Sequence, residues 1–85
     1  MLKIKDGIDL KDLEKFGFGT RPESGYYRYY RDDDYIWVDK YTRKIDYRYF
    51  VFGRFTASVE PQTRISKTIT TRLIKAGLVE KVVEE

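Results

Sequence analysis

Two rhythms of apolar and polar positions run along this chain. From residue 8 to 16, Ile8, Leu10, Leu13 and Phe16 recur at helical spacing and predict a short helix. Asp9 fits its N-cap, because a carboxylate there accepts a backbone N–H of the first turn. Asp12 complements the helix dipole, and Gly17 fits the left-handed residue at which helices commonly stop. So short a helix must be held by packing rather than by propensity. Before it, Leu2 and Ile4 make a brief alternation that ends at Asp6-Gly7.

The rhythm changes after the loop "TRPESG" at 20–25. Tyr26 to Arg31 alternates with period two: Tyr26, Arg28 and Tyr30 share one face, and Tyr27, Tyr29 and Arg31 the other. Asp32-Asp33-Asp34 interrupts, because aspartate favours turns over strands. Tyr35 to Asp39 resumes, with Ile36 and Val38 opposite Tyr35, Trp37 and Asp39. "KYTRK" is a weaker turn signal, and Ile45 to Phe52 is the longest strand candidate. Ile45, Tyr47, Tyr49 and Val51 share one of its faces; Asp46, Arg48, Phe50 and Phe52 share the other. Closely spaced turns between such strands predict an antiparallel meander of about three strands. Residues 55–63 read as strand or loop up to the boundary at Pro61.

Helical spacing returns in "RISKTITTRLIKA" at 64–76, where Ile65, Ile69, Leu73 and Ala76 fall on one face. The threonines from Thr63 to Thr71 weaken this helix, since β-branched side chains lose rotamer freedom in it. Gly77 stops it, and "LVEKVV" alternates as a closing strand, with Leu78 and Val82 against Val79 and Val83. Glu84 and Glu85 are expected to fray. The expected fold is α+β: a short N-terminal helix, the meander, a second helix and a short C-terminal strand. With 85 residues and no repeat or low-complexity segment, residues 1–85 are expected to form a single small domain.

Composition removes several functions. There is no histidine, hence no histidine acid–base pair, triad or zinc site. There is no cysteine, hence no disulfide, thiolate metal site or thiol nucleophile. Ser24, Ser58 and Ser66 lie in no nucleophile elbow, and "FGFG" at 16–19 lacks the order of a phosphate loop. The three aspartates lack the spaced acids, glycine and distal glutamate of a calcium loop, and read as a charged turn. No catalytic, cofactor or metal residues are therefore assigned. No apolar run approaches a membrane span, and "MLKIKDGIDL" lacks the apolar segment of a signal peptide. Lack of cysteine suits a reducing compartment, and a cytoplasmic protein is expected.

Charge adds a mild preference. Residues 1–19 balance, 20–59 carry eight cations against six acids, and 60–85 carry five against four. No acid occurs between Pro61 and Val79, and Arg64, Lys67, Thr68, Thr71 and Lys75 gather opposite the apolar stripe of the second helix, with Arg72 beside them. That face suits phosphate contacts. Aromatics make up 16% of the chain, and eight of them are tyrosine, whose apolar ring and polar tip suit interfaces. The primary expectation is a protein partner, or a second copy, contacted through Tyr27, Tyr29, Trp37 and Arg48. The alternative is nucleic acid, bound by Arg64, Lys67, Thr71, Arg72 and Lys75 with the sheet tyrosines.

Two resemblances bear on these expectations. "SKTITTRLIKAGLVEKV" at 66–82 resembles the third helix and first wing strand of winged helix-turn-helix proteins, through Ser66, Leu73, Gly77, Leu78 and Val79. It implies that Lys67, Thr68, Thr71, Arg72 and Lys75 face DNA. The preceding helix and tight turn of that family are missing from the sequence. "IKDGIDLKDLEKFGF" and "LIKAGLVEKV" resemble short uncharacterised proteins of phages and prophages of Gram-positive bacteria. That likeness implies a non-catalytic accessory protein and supplies no site residues.

Overall fold

The computed structural model describes residues 1–82; Val83, the expected end of the closing strand, and Glu84 and Glu85, expected to fray, lie outside the described residues. The fold is mixed α+β. In chain order it runs β1 (Leu2–Ile4), a 3-10 helix (Leu10–Phe16), β2 (Tyr26–Arg31), β3 (Asp34–Asp39), β4 (Ile45–Val51), β5 (Arg54–Ser58), α1 (Arg64–Lys75) and β6 (Val79–Lys81). Strands β2-β3-β4-β5 form a four-stranded antiparallel meander, and β1 pairs antiparallel with β6 in a separate two-stranded ribbon. The meander thus has one strand more than expected, because residues 54–58 extend it. The leading alternation of Leu2 and Ile4 is itself a strand.

Turn chemistry sets the registers. Only Asp32 and Asp33 form the β2–β3 turn, with φ of 49° and 67°. Two residues at positive φ match the twist of the flanking strands, and aspartate tolerates that conformation. Arg31 therefore pairs with Asp34, Tyr29 with Ile36 and Tyr27 with Val38. Asp34, expected in the turn, is a buried strand residue. The β4–β5 turn is built in the same way from Phe52 (φ 50°) and Gly53 (φ 78°). Between β3 and β4, the Asp39 carboxylate accepts from the backbone N–H of Tyr41 (2.7 Å) and Thr42 (2.9 Å) and holds a longer loop.

The first helix is capped as expected: the Asp9 carboxylate accepts from the Lys11 N–H at 2.9 Å. It winds as a 3-10 helix and buries only Leu13. Gly17 has φ 93°, and a Cβ there would stand 3.1 Å from the Tyr29 ring, so both backbone and packing require glycine. Helix α1 starts in a capping box, with Thr63 and Ser66 each bonding the other's backbone N–H. The threonines do not break it: Thr68 and Thr71 hydroxyls donate to the carbonyls of Arg64 (2.9 Å) and Lys67 (2.8 Å), one turn back.

Both helices pack on one face of the large sheet, hereafter its inner face. Tyr27, Tyr29, Ile36, Val38, Ile45 and Tyr47 from that face meet Ile69 and Leu73 of α1, with Ile4, Leu13, Phe18 and Leu78 closing the cluster. Tyr47 is 1% exposed, and its hydroxyl lies 2.7 Å from Thr70 Oγ1. Burial pushes that phenol above its ordinary pKa, partly offset by the Thr70 bond. Neither strand β5 nor the far end of β4 reaches this core.

Candidate binding face on the sheet

Period-two alternation leaves the other face of the sheet free of helices. Its rows follow from register. Arg28, Trp37 and Asp46 form one row; Tyr30, Tyr35, Arg48 and Ala57 the next; Phe50 faces Phe55 beyond them. Tyr26 lies beside Trp37, with ring centroids 5.4 Å apart. From Trp37 the aromatic chain runs to Tyr35 (6.3 Å), Phe55 (5.7 Å) and Phe50 (5.2 Å), with Tyr30 against Tyr35 at 4.7 Å. Six aromatic rings from all four strands are thus linked across one sheet face. Most of the contacts are tilted or edge-to-face, the arrangement the ring quadrupole favours.

Arginine is set into this surface. The Arg48 guanidinium lies 4.7 Å from the Trp37 ring centroid, and its Nη2 donates to Asp46 Oδ2 at 3.1 Å. Arg28, Tyr35, Trp37, Arg48 and Phe55 line a shallow cleft of about 340 Å³. Trp37 Nε1 and Arg48 Nε at this cleft are buried without a hydrogen-bond partner among the described residues. A buried donor left unpaired costs about 1–3 kcal/mol. The face therefore combines apolar area with a cation, over two buried donors.

The β4–β5 turn extends the face as a tip. Phe50 is 50% exposed, Phe55 55% and Phe52 98%. Phe52 also holds φ 50°, a conformation that costs a bulky L-residue about 1 kcal/mol and that asparagine adopts more readily. So exposed a ring returns nothing to the fold. Phe52→Asn is expected to raise the urea midpoint, by an amount equivalent to about 0.5–1 kcal/mol. A lower midpoint in equilibrium urea unfolding would show that the ring packs against the chain in solution.

The expected contact residues divide between the two faces. Trp37 and Arg48 lie on this outer face. Tyr27 and Tyr29 are 7% and 8% exposed, belong to the core and cannot contact a partner in this fold. Their ring areas are spent against Phe18, Ile36 and Val38 positions of the inner layer. In their place the face presents Tyr26, Arg28, Tyr30, Tyr35, Phe50 and Phe55, which sequence reasoning did not single out. A signal existed: a turn at Asp32-Asp33 pairs Tyr27 and Tyr29 with the aliphatic Val38 and Ile36, which marks them as inward.

Arg64, Lys67, Thr71, Arg72 and Lys75 are exposed along α1, as expected. Helix α1 buries Ile69 and Leu73 against the inner face, and its Arg64 and Arg72 line a cleft with Tyr29, Arg31 and Asp32 of the sheet, which Lys67 and Lys75 do not reach. The outer-face tyrosines lie on the opposite side of the molecule. Of the sheet tyrosines, Tyr29 borders the cations of α1. Helix α1 follows β5, and β6 pairs with β1.

No family model, curated protein or solved structure matches the chain. Among the described residues no three His, Cys, Asp or Glu side chains gather to hold a metal ion, and no helix is long and apolar enough to cross a membrane.

Proposed function

We propose that this protein is a non-catalytic binding protein whose contact surface is the outer face of the four-stranded sheet, and whose partner is another protein. The observation that carries this reading is the linked aromatic surface with Arg48 laid on Trp37, facing away from both helices. Tyrosine, tryptophan and arginine dominate binding hot spots because they bury large areas while keeping a polar handle. The complementary partner surface is apolar and carries carbonyl or carboxylate acceptors for the half-exposed Arg48 guanidinium. The cysteine-free sequence and the phage-protein resemblance fit a cytoplasmic accessory role, which forms part of the same proposal.

Trp37 is the only tryptophan, so it serves as both probe and target. A hot-spot loss of about 2 kcal/mol corresponds to roughly thirtyfold in affinity. Trp37→Ser is expected to lose its captured partner to that degree while keeping native circular dichroism. The doubly reversed helix, Lys67→Glu with Lys75→Glu, is expected to retain it. Undiminished capture by the Trp37 variant would refute the reading.

One observation favours a second reading. Arg64, Lys67, Arg72 and Lys75 make no ion pair among the described residues, and no acid lies between Pro61 and Val79. Such a face suits the phosphates of nucleic acid. In that case fluorescence anisotropy with labelled duplex shows a salt-dependent affinity. Replacing Lys67 and Lys75 with glutamine then reduces the slope of log K against log salt by about 1.8. An unchanged slope rejects α1 as the contact.

A further inference from the structure

We infer that β5 is a dimerisation edge. Two copies pair antiparallel through Arg54–Ser58, joining two four-stranded sheets into one of eight strands. This deepens the proposed function and rests on it, since the contact surface becomes one shared by two copies.

The first argument is that β5 has no role in the core. None of its residues is buried, and β4 is its only neighbour in the sheet. A strand held by one ladder and no packing is marginal by itself. The opposite edge is treated differently. Strand β2 is closed at its middle by Gly19, whose N–H donates to the Arg28 carbonyl (2.8 Å) and whose carbonyl accepts from the Arg28 N–H (2.7 Å). Strand β5 has no such cover among the described residues, and no proline, lysine or bulge to blunt it.

The second argument is the direction of the backbone groups. The two-residue turn closes on the Val51–Arg54 pair. That pair and every second one after it exchange both hydrogen bonds. Arg54, Thr56 and Ser58 therefore bond to β4, while the N–H and C=O groups of Phe55 and Ala57 point to the open edge.

The third argument is self-complementarity. Pairing centred on Thr56 sets Phe55 opposite the second copy's Ala57, so a large side chain meets a small one, twice. The outward backbone groups of those same residues then bond each other. Thr56 meets its own copy, a favourable cross-strand pair. Arg54 meets the second copy's Ser58, and the two Arg54 residues stand about 14 Å apart along the strands. That exceeds the Debye length of about 8 Å, so their repulsion is screened. The dyad runs perpendicular to the sheet, so both outer faces lie on the same side, with Phe50 and Phe55 of both copies near the centre.

The chain has no cysteine, which allows a clean test with single cysteines. Residues opposite each other in a non-hydrogen-bonded pair have Cα atoms about 4.5 Å apart, within disulfide range. Thr56→Cys is expected to form a disulfide-linked dimer on mild oxidation, at least about tenfold faster than Ser58→Cys, whose equivalents are about 14 Å apart. Unmodified protein is expected to sediment as a dimer. Ala57→Pro, which deletes an outward N–H that the fold itself does not use, is expected to sediment as a monomer with native circular dichroism. Should that variant fail to fold, the cysteine pair decides the matter in an otherwise native chain. A monomer at every concentration, or cross-linking at Ser58 as fast as at Thr56, overturns the inference. A monomer that still captures a protein through Trp37 overturns the dimer and spares the proposed function. A β5-linked dimer with no Trp37-dependent capture does the reverse.

Discussion

Replacing Leu73 with alanine lowers the stability of this protein by about 3 kcal/mol. Leu73 is fully buried and sits in α1 against the inner face of the sheet. Its deletion removes the transfer free energy of the side chain and leaves a cavity that a β-sheet floor cannot easily fill. Small domains hold about 5–15 kcal/mol in all, so this one change removes a large share. At roughly 5 °C per kcal/mol for a chain of this size, the melting temperature falls by about 15 °C. Leu73→Met keeps most of the volume and is expected to cost under about 1.5 kcal/mol. Thermal unfolding followed by circular dichroism tests both. Equal losses for the two variants would show that shape rather than volume governs the site.

The second large effect is expected at Arg43, a residue no motif marks. Its Nη1 donates to the carbonyls of Lys5 (2.8 Å) and Ile8 (2.6 Å), and its own carbonyl accepts from the Ile4 N–H at 2.9 Å. One side chain thus ties the β3–β4 loop to the strand β1 segment and the approach to the 3-10 helix. Hydrogen bonds from a charged donor contribute about 1.5–3 kcal/mol each, less where solvent reaches them. Arg43→Ala is expected to cost about 2 kcal/mol and to unlock β1 first. Arg43 also holds φ 65°, so Arg43→Gly relieves the backbone while deleting the same bonds. The glycine variant should therefore be the more stable of the two. Hydrogen exchange reads the outcome directly: the Ile4 and Lys5 amides lose protection while those of β3 keep theirs. Unaltered protection at Ile4 would mean that its backbone bond to the Arg43 carbonyl holds β1 without the Arg43 side chain.

These two sites differ in how far they could be read in advance. Leu73 lies on a helical stripe with Ile65 and Ile69, and such periodicity marks an inward residue whatever it packs against. The helix itself, its stop at Gly77, the cap at Asp9 and the alternation within β2, β3 and β4 were legible in the same way. Each depends on residues within a few positions of one another. Arg43 acts on carbonyls 35 and 38 residues away, and nothing local announces that. The pairing of Leu2–Ile4 with Val79–Lys81 is equally remote, joining the two ends of the described chain.

The candidate site lies between these cases. Alternation sorted Tyr26, Arg28 and Tyr30 from Tyr27 and Tyr29 correctly, and likewise Trp37 from Ile36. It could not say which set faced inward, because tyrosine is at home on either side of a sheet. Register decided that. The turn at Asp32-Asp33 set Tyr27 and Tyr29 against Val38 and Ile36, and the helices then covered the side with the aliphatic residues. The same covering placed α1 on the other side of the sheet from the outer aromatics, with Tyr29 at the cleft beside Arg64 and Arg72.

The sequence by itself determined the mixed α+β class, the second helix, strands β2 to β4 with the two sets of side chains on each, and the lack of histidine and thiol chemistry. These follow from local backbone preference and from composition. Tertiary structure decided which side of the sheet the helices cover, that β5 is an uncovered edge, and that the outer face carries linked aromatics with Arg48 on Trp37. Those outcomes depend on which face the helices bury. That choice is made by the summed packing of the whole core, a quantity no single stretch of sequence contains.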